Sequence, residues 1–193
     1  MVTHGRSVDV PPDPEGVEYY VRKTVVEILV RPPSLFEFQI KKDPAMSTFT
    51  QILYQIVFST KLRERTLTSN GRPQLFRYIW GVIKGMKSHP YWINGVEDHL
   101  HIATYIHPTV SLSDFVKEIK LATTFHIKEN GFLKYFGGWQ DGYAAFTYSI
   151  KEKQTLIEYI KNQEEHHRKV TFKEELIDLL HEHGIEFDEK YLL

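Results

Sequence analysis

Two histidines separated by one residue, His99 and His101, lie among residues that favour β-strands, in the segment GVEDHLHIATYIHP. Side chains alternate across a strand, so both imidazoles point to the same face, about 7 Å apart along the chain. Imidazoles at that spacing can bind one metal ion, while Leu100 and Ile102 anchor the strand in the core. The alternative is a pair of structural histidines without a metal, and the motif alone leaves both interpretations open.

A second group of candidates lies in the segment LIEYIKNQ, which has the pattern of a helix. Tyr159 and Gln163 are four residues apart and are therefore neighbours on one helix face, about 6 Å apart between their Cβ atoms. A glutamine amide oxygen can bind a hard ion such as Mg²⁺ or Mn²⁺, and a tyrosine one turn away can present its hydroxyl to a group that the ion holds. The alternative for Tyr159 is a packing role beside the apolar stripe of the same helix.

Seven segments of regular pattern must position these residues. Runs of Ile, Val, Phe and Tyr predict three strands, at 49–60, 99–106 and 142–150. Apolar residues at helical spacing predict four helices, at 73–89, 111–131, 151–167 and 171–184. Ser111 and Thr171 are predicted N-caps, and Gly131 and Gly184 are predicted stops. The order β-α-β-α-β-α-α predicts an α+β fold in which helices pack on an antiparallel sheet.

Residues 1–45 differ in pattern from the rest of the chain, because prolines interrupt them in the segments VPPDPEG and VRPPSLFEF. Met46 opens the segment whose pattern continues to the end of the chain. We therefore predict that residues 1–45 are a loosely packed extension and that residues 46–193 form the functional domain. The alternative is that residues 18–30 supply an edge strand to the sheet.

The composition narrows the classes of protein and of site. The chain has 193 residues and no cysteine, which excludes disulfides, thiolate metal sites and thiol nucleophiles. Any metal must therefore be bound by histidine, carboxylate or amide groups. No stretch approaches the roughly 20 apolar residues that span a bilayer, and the amino terminus lacks the layout of a signal peptide. We expect a cytoplasmic protein without a membrane partner.

The charges divide unevenly along the chain. Residues 46–140 carry 11 lysines and arginines against 6 acidic residues, whereas residues 141–193 carry 7 against 12. A basic surface on the first part would suit a phosphate backbone, and the alternative is that the charges only decorate different faces. The candidate DNA-binding residues are Lys61, Arg63, Arg65, Arg72, Arg77 and Lys84. Aromatic residues interleaved with them could stack bases or belong to the core: Tyr78, Trp80, Tyr91 and Trp92.

Several motifs in order resemble the one-tyrosine HUH transposases of small insertion sequences, of the IS200-like or REP-associated type, where HUH means His-hydrophobic-His. HLH on a strand is followed some 60 residues later by a helical YIKNQ. LYQIVFSTK, GVEDHLHI, WQDGYAAFTYS, YIKNQEEHH and the final FKEELIDLLHEHGIEFDEKYL are also similar to that family. The resemblance covers residues 48–193.

The resemblance implies roles for four residues of this sequence. His99 and His101 would be the HUH pair, Gln163 the third metal ligand, and Tyr159 the nucleophile. The implied fold is a ferredoxin-like or RRM-like α+β sandwich that pairs into a homodimer, in which the tyrosine helix can serve the metal site of the partner subunit. The implied reaction is DNA transposition by cleaving and rejoining single-stranded DNA with hairpin ends through a 5′-phosphotyrosine, with Mg²⁺ or Mn²⁺.

Other histidines and other functions remain as alternatives. His166 and His167 lie within a turn of Gln163 and could supply an alternative ligand, although EEHHRK has the pattern of a solvated helix end. Glu97 is a candidate hydrogen-bond partner for the imidazole of His99. A non-catalytic DNA-binding protein derived from a transposase is the main alternative function. A phosphoesterase acting on small nucleotides would want a second His-x-Thr-type motif, and replication initiators and relaxases are typically longer chains.

Overall fold

The computed structural model describes residues 49–192. It forms a four-stranded antiparallel sheet made of β1 (Leu53–Ser59), β2 (His89–Gly95), β3 (His99–Tyr105) and β4 (Ala144–Tyr148). The strand order is β2-β3-β1-β4, so the strand that carries both histidines is central. The predictions for residues 1–45, including an edge strand at 18–30, lie outside the described residues.

Five helices cover the two faces of this sheet. They are α1 (Arg72–Gly85), α2 (Leu112–Asn130), α3 (Lys153–Lys161), α4 (Gln163–His166) and α5 (Phe172–Glu182). Short 3₁₀ turns lie at Lys61–Arg63, Ile150–Glu152 and Glu189–Tyr191. The predicted α+β fold, with helices packed on an antiparallel sheet, is confirmed.

Alternation along the strands gives each face its own core. On one face Ile56, Leu100 and Ile102 pack with apolar residues of α1 and α2 in the largest buried cluster. On the opposite face α3 packs on Leu53 and Ala103, while α5 packs on Val57 and Phe146 in a separate cluster. His99 and His101 alternate with Leu100 and Ile102 and therefore belong to the face that α3 and α5 cover.

The predicted helix ends are present at the residues that the sequence indicates. The Ser111 hydroxyl accepts a hydrogen bond from the backbone amide of Asp114, and Gly131 ends α2 in the left-handed conformation with φ of 63°. Thr171 begins α5 with a capping box, in which its hydroxyl and the Glu174 side chain satisfy each other's backbone amides. These caps fix where α2 and α5 begin, and with that the orientation of their buried faces.

Two elements differ from the sequence prediction. The segment HPYWING is strand β2, which was not predicted because Pro90 and the Asn94–Gly95 pair are typical of turns. β2 is an edge strand with an irregular register at Pro90, which is where a sheet tolerates proline. The predicted helix 151–167 is divided, because Asn162 leaves the helical conformation between α3 and α4.

Gly95 permits the tight β2–β3 connection. A Cβ atom at this position would lie 2.3 Å from the backbone oxygen of His99 and 2.7 Å from the Cα of Leu100. The close approach therefore requires glycine immediately beside the histidine strand. Within residues 49–192 no helix is both long and apolar enough to cross a membrane.

Candidate active site

The two histidines of β3 are fully buried beneath α3, α4 and α5. In the sheet His99 lies opposite Ser59 and His101 lies opposite Val57 on β1. Both imidazoles have 0% of their surface exposed, and their ring centroids are 5.2 Å apart. Phe172, the first residue of α5, stacks on His99 with ring centroids 4.1 Å apart. The strand therefore presents both rings to one enclosed point.

Neighbouring side chains orient each imidazole through its Nδ1 atom. Asp98 Oδ1 lies 2.7 Å from Nδ1 of His99. The Gln55 amide lies 3.0 Å from Nδ1 of His101, and the Tyr148 hydroxyl donates to Gln55 Oε1 over 2.6 Å. These contacts leave the Nε2 atoms of both histidines directed at the same place. The contact of His99 with a carboxylate is the one that metal-binding histidines commonly have, whereas the Gln55 amide nitrogen donates to Nδ1 of His101.

Glu175 of α5 occupies the point at which the candidate residues converge. Its Oε1 atom accepts hydrogen bonds from the Tyr159 hydroxyl and, over 2.8 Å, from the Gln163 amide. Its Oε2 atom lies 3.3 Å from Nε2 of His101 and 3.6 Å from Nε2 of His99. The structure thus brings together Tyr159, Gln163, His99 and His101, which are the four residues predicted to act in catalysis and metal binding. They meet around the carboxylate of Glu175, which was not predicted.

His167, which follows α4, also reaches this point. Its Nε2 atom lies 2.9 Å from Nε2 of His99 and 3.1 Å from Glu175 Oε2. One ligand atom from each of His99, His101, His167 and Glu175 lies within 4.8 Å of every other. His166 is more peripheral, with its Nε2 atom 3.7 Å from Glu175 Oε1.

Burial and mutual contacts shift the protonation of this cluster. Burial lowers the pKa of His99 to about 4, although the hydrogen bond to Asp98 opposes the shift. Burial would raise the pKa of Glu175, but the contacts with His101, His167 and Tyr159 outweigh it and hold this pKa well below its usual range. Burial and the charge of Glu175 raise the pKa of Tyr159 far above its usual range. At neutral pH the cluster therefore has a carboxylate, a neutral His99 and a protonated phenol.

Buried polar atoms around this point fit a divalent cation. His101 Nε2, Gln163 Oε1 and Glu175 Oε2 are all buried and have no hydrogen-bond partner among the described residues. Leaving such atoms unsatisfied is unfavourable, and oxygen and imidazole donors of this kind are metal ligands. The cluster therefore has the donors and the geometry to bind a metal ion.

A cleft of about 340 Å³ between α3 and α5 leads to Tyr159 and Glu175. Its wall also includes the side chains of Tyr148, Glu152, Asp178 and Glu182. The Tyr159 ring lines this cleft and is half-buried, and its centroid lies 6.1 Å from that of the His101 ring. The phenol therefore lies between the open cleft and the buried histidine pair.

The six candidate DNA-binding residues do not share one surface. Lys61, Arg65, Arg77 and Lys84 are exposed, the first two in the turn after β1 and the other two on α1. Arg63 is partly buried, with its guanidinium 4.9 Å from the centre of the Phe172 ring. The turn at 61–65 therefore borders the histidine cluster, whereas α1 covers the opposite face of the sheet.

Arg72 is the candidate DNA-binding residue that the structure places inside the protein. Its side chain is 8% exposed, and Nη2 lies 2.5 Å from Glu164 Oε1. Its Nη1 atom donates to the backbone oxygen of Leu67 over 3.3 Å. The guanidinium is thus engaged within the fold, where it ties the start of α1 to α4, and it is not available to a DNA backbone.

Sequence reasoning missed Glu175 and chose Glu97 where the structure has Asp98. Glu175 lies at helical spacing between Phe172 and Leu179 on the buried side of α5. An acidic residue within an apolar stripe is the sequence feature from which a buried functional carboxylate could have been predicted. Glu97 is exposed and lies 3.8 Å from Arg72, whereas Asp98 contacts His99. The chain bends at residues 97 and 98, so the strand alternation on which the choice of Glu97 rested begins only at His99.

Comparison with known proteins identifies the family. Residues 48–163 match the family model described as Transposase IS200 like. The chain belongs to this transposase family. The matched segment contains both histidines, Tyr159 and Gln163, and it ends before His167 and Glu175. The resemblance inferred from the motifs is confirmed.

Two solved structures are similar to this transposase. One is described as a transposase from Deinococcus radiodurans R1, with 22% identity over 61% of this chain and 95% of that chain, at a TM-score of 0.49. The other is a REP-associated tyrosine transposase bound to a REP hairpin, with 16% identity over 65% of this chain and 76% of that chain, also at 0.49. No curated protein matches the chain significantly in sequence.

Proposed function

We propose that this transposase cleaves and rejoins single-stranded DNA with Tyr159 as the nucleophile. A divalent ion, Mg²⁺ or Mn²⁺, would be held by His99, His101 and Gln163. The observation that carries the proposal is the convergence of the Tyr159 hydroxyl, the Gln163 amide and the His101 imidazole on the single carboxylate of Glu175. A nucleophile and metal-binding groups from separate elements meet at one buried point, as a phosphodiester transfer requires.

The bound ion would neutralise the scissile phosphate and polarise its P–O bonds. The residues of the chain perform the rest of the reaction. The Tyr159 oxygen attacks phosphorus, the P–O3′ bond breaks, and the products are a 5′-phosphotyrosine and a 3′ oxygen that takes a proton from solvent. The phosphodiester count is preserved, so a second 3′-hydroxyl can reverse the step and release Tyr159 without ATP.

The environment of Tyr159 determines when its proton leaves. Burial and Glu175 keep the phenol protonated at neutral pH, because both raise its pKa. The proton therefore leaves to solvent during the attack rather than before it.

The proposed substrate is single-stranded DNA with hairpin ends, as the family resemblance implies. Lys61, Arg63 and Arg65 border the cluster and are the candidates for the strand that enters the site. Arg77 and Lys84 on the opposite face would contact a more distant part of a hairpin. Within residues 49–192 one chain brings Tyr159 close to His101, so we propose that Tyr159 acts within its own subunit. The homodimer stays a prediction.

The experiment that tests this function is the formation of a covalent adduct. The protein is mixed with single-stranded oligonucleotides that span the DNA flanks of its own gene, with Mg²⁺ or Mn²⁺, and is run on denaturing gels. We expect an adduct that is lost in Tyr159→Phe and in EDTA but is retained in Tyr135→Phe, since Tyr135 is 74% exposed. DNA binding without an adduct under any ion would instead establish a non-catalytic DNA-binding protein.

A further inference from the structure

We propose that His167 and Glu175, in place of Gln163, complete the metal site of His99 and His101, and that this donor set selects a first-row transition-metal ion over Mg²⁺. The inference rests on the proposed function, and it deepens the function by naming the class of ion. Both added ligands follow the segment that the family model matches.

The hydrogen bonds of two imidazoles leave two lone pairs facing each other. Nδ1 of His99 contacts the carboxylate of Asp98, and Nδ1 of His167 lies 2.9 Å from the backbone oxygen of Val170. Carboxylates and carbonyls only accept hydrogen bonds, so both Nδ1 atoms carry the proton of a neutral ring. The two Nε2 atoms then carry lone pairs, and they lie 2.9 Å apart. Facing lone pairs at this distance need a proton or a metal ion between them.

The separations around the cluster are those between ligands of one ion. The Nε2 atom of His167 is 2.9 Å from that of His99, and Glu175 Oε2 is 3.1 to 3.6 Å from the three Nε2 atoms. Ligands about 2.1 Å from a transition-metal ion are separated by about 3.0 Å at right angles and about 3.4 Å at the tetrahedral angle. Four of the six pairs of ligand atoms already have this spacing, and all six lie within 4.8 Å.

The burial of Glu175 calls for a positive charge. The side chain is 2% exposed, and among the described residues its ion-pair partners are four histidines rather than any lysine or arginine. A buried carboxylate is unfavourable unless it is paired with a cation or coordinates a metal. Its Oε2 atom has no hydrogen-bond partner within residues 49–192, although three Nε2 atoms surround it. A shared metal ion satisfies all four atoms together.

The donor types determine which ion fits. Three imidazoles and one carboxylate suit Mn²⁺, Fe²⁺, Co²⁺ or Zn²⁺, because imidazole is an intermediate ligand. Mg²⁺ prefers oxygen ligands and retains several waters in an octahedral shell, for which this buried cluster offers mainly nitrogen. We therefore expect Mn²⁺ and Co²⁺ to bind at least tenfold more tightly than Mg²⁺.

Calorimetric titration of the metal-free protein with Mn²⁺, Co²⁺ and Mg²⁺ tests this inference. We expect one Mn²⁺ or Co²⁺ per chain, with affinity at least tenfold lower in His167→Ala and in Glu175→Gln. His181→Ala is the matched control, since it removes an exposed histidine of the same helix as Glu175 and should bind like the wild type. Unchanged Mn²⁺ affinity in both site variants, or Mg²⁺ binding as tight as Mn²⁺, would overturn the inference.

X-ray absorption of the Co²⁺-loaded wild-type protein measures the number of histidine ligands directly. This test needs no variant, so it does not depend on whether His167→Ala or Glu175→Gln folds. Three histidine ligands support the inference, and two or fewer contradict it. The proposed function fails in a different way. If no ion binds and no DNA adduct forms, the proposed cleavage of DNA is wrong. If an adduct forms and the metal has only two histidine ligands, only the assignment of His167 and Glu175 as ligands is wrong.

Discussion

Asn94 donates a hydrogen bond from its side-chain amide to the backbone oxygen of Ile160, over 3.0 Å. The same amide nitrogen lies 2.9 Å from the backbone oxygen of Lys161. Asn94 also pairs with His101 across β2 and β3. The end of the helix that carries Tyr159 is therefore fastened to the sheet at the level of the histidine pair, and Asn162 interrupts the helix immediately afterwards.

Replacing Asn94 by alanine should slow cleavage more than it weakens DNA binding. The change removes two hydrogen bonds to helix-terminal carbonyls, which destabilises the fold by about 1 to 2 kcal/mol. It also frees the end of α3, so we expect about a tenfold slower formation of the Tyr159 adduct at saturating DNA, because small displacements of reacting groups have large effects on rate. Single-turnover cleavage and DNA affinity are measured in parallel.

Asn130→Ala provides the control for Asn94→Ala. Its amide donates to the backbone oxygen of His126 over 2.9 Å at the exposed end of α2, so the change removes a similar bond away from the site. This variant should cleave at the wild-type rate. If Asn94→Ala also cleaves at that rate while losing stability, Asn94 has no role in positioning Tyr159.

Asp98 should control metal affinity through the orientation of His99. Its carboxylate lies 2.7 Å from Nδ1 of His99 and holds the ring with Nε2 directed at the cluster. Loss of such a partner typically lowers metal affinity by about 10- to 100-fold, so we expect this decrease for Asp98→Ala in titrations with Mn²⁺. Glu97→Ala is the matched control and should leave the affinity unchanged. A larger loss in Glu97→Ala than in Asp98→Ala would restore the assignment that strand alternation favours.

Local patterns were sufficient to predict most of the elements. The caps at Ser111 and Thr171 and the strand around His99 depend on nearest neighbours, and the structure has them where the sequence indicates. Strand β2 was missed because its proline and its Asn–Gly pair favour turns locally. An edge strand tolerates proline, and β2 lies at the sheet edge. A local sequence pattern does not show which strand will be at the edge.

The part of the cluster that could not be predicted depends on contacts distant in sequence. Glu175 meets His101 only because α5 packs on the face of the sheet that carries the histidines. Nothing in FKEELIDLL distinguishes Glu175 from the exposed Glu174 beside it except its position in the apolar stripe. Arg72 was predicted to bind DNA from its charge alone, and tertiary packing buried it against Glu164.

Arg72→Ala should destabilise the protein without changing the salt dependence of DNA binding. The side chain is buried and bonds to Leu67 and Glu164, and hydrogen bonds to a charged group contribute about 1.5 to 3 kcal/mol. We expect the free energy of unfolding to fall by about that amount in urea denaturation. Arg77→Ala on the same helix is exposed and should leave this free energy unchanged. Equal stability of the two variants would show that the Arg72 contacts contribute nothing.

The turn after β1 should supply phosphate contacts to the single strand. Lys61 and Arg65 are exposed beside the histidine cluster, and each phosphate contact to a single strand contributes about −0.7 to the slope of log affinity against log salt. We therefore expect the double change Lys61→Ala and Arg65→Ala to make the slope shallower by about 1.4 while leaving the free energy of unfolding unchanged. Lys128→Ala, which removes an exposed charge from α2, should keep the wild-type slope. A steep slope retained in the double variant would mean that the strand approaches from another surface, and Arg77→Ala measured in the same way would then test α1.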